Sequence, residues 1–90
     1  MNDVDANLLR SIPLSDIQQV TFYKRDELTT DLICCDVEAS GQVWTFNEEM
    51  MGWDALLSHL EQLSGFQADW FSRVGQPPFE ASETIAFSRL

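Results

Sequence analysis

Lys24-Arg25-Asp26, Asp31, Cys34-Cys35, Glu48, Glu49 and His59 are the residues whose types and spacing could do chemistry. The carboxylates of Asp26, Asp31, Glu48 and Glu49 are hard oxygen donors of the kind calcium or magnesium takes. No DxDxDG loop or histidine accompanies them, however, and the adjacent cations compete for the same charge. Cys34 and Cys35 stand side by side, so with His59, the single histidine, they do not make CxxC-type zinc spacing. A Cys-His nucleophile pair would require His59, between Ser58 and Leu60 on a helix, to reach a strand cysteine through the sheet or the core. Neither a glycine-rich phosphate loop nor a GxSxG elbow is present. The patterns point away from catalysis, and neither a metal nor another cofactor is expected.

The elements that must position these residues are legible as alternation and periodicity. Ile17 to Lys24 places Val20 and Phe22 on one face and Thr21 and Tyr23 on the other, which predicts a first strand. Leu32 to Glu38 predicts a second, with Ile33, Cys35 and Val37 facing one way and Cys34, Asp36 and Glu38 the other. Ala39-Ser40-Gly41 supplies a short turn into a third strand, Gln42 to Phe46. The period then changes: Trp53, Leu56, Leu57, Leu60 and Leu63 form one apolar stripe, predicting a long helix to about Ser64. Gly65 is placed as its left-handed terminator, with Phe66 covering Leu60. A short helix over residues 67–74 ends at Gly75 before Pro77-Pro78. The tail from Glu83 to Arg89 alternates again, with Ile85 and Phe87 inward, as a fourth strand returning to the sheet edge.

In such a meander the end of strand one, the start of strand two and the end of strand three share one rim. Lys24, Arg25, Asp26, Asp31, Glu48 and Glu49 gather there, and the helix start brings Trp53 close by. The ordinary outcome is a solvated rim of ion pairs worth about 0–1 kcal/mol each. The functional outcome is a binding surface anchored by Arg25 and Trp53, residue types enriched in interface hot spots. Cys35 reads as a core residue and Cys34 as the thiol with access to solvent. The aromatics Trp53, Phe66, Trp70, Phe71, Phe79 and Phe87 read as core, with a ligand pocket beside Phe79 as the alternative.

Ninety residues with 44% hydrophobic content suit one domain with one modest core, residues 14–90, preceded by a polar lead-in, residues 1–13, that docks Leu8, Leu9 and Ile12. Fifteen acidic against five basic residues give a net charge of −10. Phosphate backbones and anionic lipid are repelled by such a surface, so no nucleic acid or membrane is expected and a basic protein is the natural partner. No apolar run approaches the ~20 residues of a membrane span, and the N-terminus lacks the basic and apolar regions of a leader. Free thiols fit a reducing compartment, and the expected location is cytoplasmic. An unpaired edge, strand one or four, could pair across a two-fold axis as a homodimer.

The linked stretches KRDELTTDLIC, EEMMGWDAL and PPFEASETIAFSR resemble a family of small bacterial proteins of KRD…DLIC…EEMxGW type, over residues 14–90. The resemblance implies a bacterial source and transfers no catalytic residue. The sheet-then-helix order is comparable to bacterial pleckstrin-homology-like modules, whose full barrel this chain is too short to complete. The expected fold is α+β: an antiparallel three- to four-stranded meander, one long helix packed on one face, and a second short helix. The expected function is a non-catalytic interaction or regulatory module, toxin neutralisation included. A small-molecule-binding domain with an aromatic-lined pocket is the alternative.

Overall fold

The structure is a computed structural model that describes residues 4–26, 31–74 and 82–89, and for Asp26, Asp31 and Ser82 the backbone only. The elements in chain order are α1 (Ala6–Arg10), a 3-10 turn (Leu14–Asp16), β1 (Ile17–Asp26), β2 (Asp31–Ala39), β3 (Gln42–Asn47), α2 (Trp53–Leu60), α3 (Trp70–Val74) and β4 (Ser82–Ser88). The strands form one antiparallel sheet in the order β3-β2-β1-β4. The predicted α+β class and four antiparallel strands are therefore present. β1, however, lies inside the sheet, and the free edges are β3 and β4.

Period-two alternation sends Val20, Phe22, Ile33, Cys35, Val37 and Phe46 to one face, where Leu56, Leu60, Trp70 and Val74 cover them. Phe22 is the centre of this layer. Trp70 stacks on it with ring centroids 3.7 Å apart, and Trp53 and Phe66 meet its ring edge-on at 6.3 and 6.2 Å. β2 and β3 are joined by Ser40 and Gly41, both with left-handed φ, 53° and 77°. Positive φ at both central residues is the type I′ geometry that matches the twist of paired strands.

The long helix is not formed. α2 is eight residues, Trp53–Leu60. Beyond it the chain winds more tightly, with the Leu63 N–H donating to Leu60 O at 3.0 Å and the Phe66 N–H to Leu63 O at 3.1 Å. Bonds of this i to i+3 kind keep residues three apart on one side, so Leu63 stays buried although the helix has ended. Gly65 is left-handed as expected, but it terminates these turns rather than the helix. A bulge opposite Val20 and Thr21 also changes the face presented by β4. Thr84, Ala86 and Phe87 turn inward, whereas Ile85, expected inside, is 47% exposed.

The N-terminal segment is docked on the helical layer. Val4 and Ile12 belong to the core, and Leu8 and Leu9 pack against it. The Val4 N–H donates to Met51 O at 2.8 Å, and His59 Nε2 lies 2.8 Å from Ile12 O, so that nitrogen carries the hydrogen. At the other end, Arg89 donates from Nε to Ile17 O (2.8 Å) and from a terminal nitrogen to Leu14 O (3.2 Å), with its guanidinium 5.2 Å from the Phe87 ring centroid.

Candidate functional site

The hairpin between β1 and β2 sets Arg25 opposite Leu32 and Asp26 opposite Asp31, so the ends of β1 and β2 do share a rim. The end of β3 joins them: Glu48 N–H donates to Ile33 O at 3.0 Å, and Glu48 Oε1 accepts the Ile33 N–H at 3.1 Å. Glu48 thereby extends the ladder by one residue and fastens β3 to β2. Glu49 N–H donates to Asn47 Oδ1 at 2.9 Å, a side-chain-closed turn leading toward α2.

The sheet divides the remaining rim residues between its two faces. Lys24 follows Val20 and Phe22 onto the helix-covered side, where it is 3% exposed and is held rather than free. Trp53 lies on that side too, half-buried with its ring edge against Phe22. Neither is an exposed anchor. Arg25 is exposed and shares the opposite face with Tyr23. The side chains of Asp26 and Asp31 lie outside the described residues, as does Phe79.

The opposite face carries an organised polar cluster. Asp36 Oδ1 accepts hydrogen bonds from Tyr23 Oη at 3.2 Å and Thr45 Oγ1 at 3.0 Å, joining three adjacent strands through one carboxylate. Gln19 Nε2 donates to Thr21 Oγ1 at 3.4 Å beside it. Gln19, Thr21, Asp36, Glu38 and Val43 line a shallow hollow of about 100 Å³. Burial first, and the Asp36 charge second, push the Tyr23 phenol up to about 12. Alternation puts Thr21 with Tyr23 on β1 and Asp36 with Glu38 on β2, but only the register across β1, β2 and β3 brings them onto one face with Thr45.

Both cysteines are free and buried. Cys34, expected to be the accessible thiol, is only 2% exposed, because it sits between its cross-strand neighbours Tyr23 and Asn47, both larger than itself. Burial raises the Cys35 thiol far above its ordinary range, which opposes formation of a nucleophilic thiolate. Among the described residues, no three His, Cys, Asp or Glu side chains converge as metal ligands would. No helix among them is long and apolar enough to cross a membrane.

A second, more open hollow of about 420 Å³ lies beside β4 and is lined by Gly65, Gln67, Arg73, Ile85, Ala86, Phe87 and Ser88. No protein-family model, curated protein or solved structure matches this chain.

Proposed function

We propose that this protein is a non-catalytic interaction module of bacterial, cytoplasmic origin whose contact surface is the face of the sheet opposite the helices. The single observation that carries the reading is the Tyr23–Asp36–Thr45 cluster. A carboxylate that accepts two side-chain donors fixes a tyrosine on a sheet face that no described helix covers. The ordering cost of that tyrosine is therefore met before any partner arrives. Arg25 at the rim end of the same face adds a second residue type common in hot spots, and Glu38 supplies negative charge suited to a basic partner. Regulation or toxin neutralisation by masking a basic surface would be the biological form of such contact.

The test is capture of a partner from cells of the source organism, followed by titration of that purified partner against wild type and the variants Arg25→Glu and Tyr23→Ala. Affinity should fall at least about tenfold in either variant, as loss of a hot-spot side chain does. For Arg25→Glu the folding midpoint should move little, since exposed charges contribute about 0–1 kcal/mol. Unchanged affinity in both variants removes the face from consideration.

A second reading, a small-molecule site, is favoured by the hollow beside β4, whose volume falls in the roughly 300–1,000 Å³ range of ligand pockets. A ligand that raises the melting temperature of wild type, but not of Arg73→Ala, would select it.

A further inference from the structure

The two free edges of the sheet are guarded very differently. β4 carries a charge, Glu83, a bulge opposite Val20 and Thr21, and a covering bond in which the Gln67 N–H donates to Ala86 O at 2.8 Å. Charges, bulges and covering segments are the devices that prevent an edge from pairing with another chain. Among the described residues, β3, Gln42-Val-Trp-Thr-Phe-Asn47, has none of them: it contains no charge and no proline, its register against β2 is unbroken, and Val43 is 61% exposed. It is the one strand of the four without a charged residue, in a chain of net charge −10.

Among the described residues, no backbone group outside β2 bonds to Val43 or Thr45 of β3. A two-residue turn makes Ala39 and Gln42 a hydrogen-bonded pair, and the pattern alternates from there. Gln42, Trp44 and Phe46 direct their backbone groups to β2, in phase with the Glu48 to Ile33 bond. Val43 and Thr45 therefore direct theirs outward.

We infer that two copies of this chain pair antiparallel through β3, about a two-fold axis at Thr45, to make one continuous eight-stranded sheet. This register sets Thr45 against its own copy and Val43 against Asn47 of the partner subunit. On the helix-covered face it sets Trp44, still half-buried, opposite Phe46 of the partner subunit, an aromatic cross-strand pair of the kind that favours sheet association. A second copy fits this edge because like meets like without charge. Elsewhere, fifteen acidic residues against five basic ones make self-contact repulsive on average. The inference is independent of the polar-face reading, since β3 pairs through its edge and leaves that face uncovered.

The experiment is sedimentation equilibrium over a concentration series at low and high salt, with amide exchange read residue by residue, on wild type, Val43→Lys and Thr45→Pro. Wild type should pass from 10.3 kDa to twice that mass as concentration rises. Salt should tighten the dimer, because it screens repulsion between two chains of charge −10. The Val43 and Thr45 amides should gain protection with concentration. Val43→Lys adds the guard that β3 lacks, and Thr45→Pro removes an outward N–H; each should weaken dimerisation at least tenfold. Thermal unfolding of each variant at a concentration where wild type is monomeric confirms that it folds, and Val43→Lys, at an exposed position, decides the matter if the proline variant does not. A monomer at every concentration, a dimer indifferent to Val43→Lys, or protection at Glu83 and Ile85 instead would each overturn the inference. So would β3 amides protected only by a different added protein while the chain itself stays monomeric.

Discussion

Gly52 and Tyr23 show how single residues carry constraints that composition hides. Gly52 begins α2 with φ 87°, and a Cβ built there would lie 2.0 Å from Val4 O. Gly65 has the same φ with nothing within 4 Å of such a Cβ. Alanine at 65 should cost about the 1–2 kcal/mol of a left-handed L-residue. Alanine at 52 should cost clearly more and release the N-terminal segment, seen as a lower urea midpoint together with faster exchange of the Val4 amide. Equal losses would contradict the docking of that segment. Tyr23 is the sole tyrosine, so its phenolate absorbance titrates one group. Its pKa is raised from 10.0 to about 12, so the folded state binds the proton more tightly than the unfolded state does. That contribution to stability is complete below pH 10 and is lost as pH rises from 10 through about 12. Asp36→Asn should bring the titration down part of the way only, because burial is the larger cause. No change would show that Asp36 does not reach the phenol.

At the scale of elements, the strands were legible because a two-residue period has one structural meaning over six or more residues. Val20 and Phe22 on β1, and Ile33, Cys35 and Val37 on β2, all face inward as their spacing predicts. The length of α2 was not legible, because the spacing from Leu60 to Leu63 to Phe66 fits an α-helix and a string of tighter turns equally well. Leu56, Leu60 and Leu63 of the stripe are buried and Trp53 and Leu57 half-buried, so its face is legible in the spacing and its winding is not. A stability measurement separates face from winding. Leu56→Ala within α2 and Leu63→Ala beyond it should each cost about 2–5 kcal/mol, the range for large-to-small changes in a core. A loss below half a kcal/mol at Leu63 would mean that the turns do not hold it inside. Ile85 faces outward for a different reason: Ala86 is an extra residue in β4, so Ile85 and Phe87, two apart in sequence, lie on opposite faces, and nothing local to Ser-Glu-Thr-Ile-Ala-Phe announces the bulge.

At the scale of the molecule, the rim was legible as a place and illegible as a surface. Strand order brought Arg25, Asp26, Asp31 and Glu48 to one end of the sheet, as meander geometry requires. Which face each residue joins depends on parity within its strand, and parity put Lys24 with the core and Arg25 with the open face. Trp53 was drawn inward by Phe22, since an indole at the first position of α2 gains more by completing an aromatic cluster than by facing water. The Tyr23–Asp36–Thr45 cluster joins three strands, with its outermost members twenty-two positions apart in the chain, and only correct register aligns it. The proposed contact surface therefore lies in the middle of that face rather than at the charged rim.

The position of β4 beside β1 governs how the chain behaves during its own synthesis. Gln19 and Ser88, sixty-nine residues apart, meet across that ladder, and Trp70 stacks on Phe22 from late in the chain. The hairpins β1-β2 and β2-β3 can close as soon as they leave the ribosome. β1 then waits, with one edge unpaired and Phe22 uncovered, until Trp70 and β4 have emerged. During that interval the nascent chain offers two open edges at once, β1 and β3, and the arrival of β4 closes only the first.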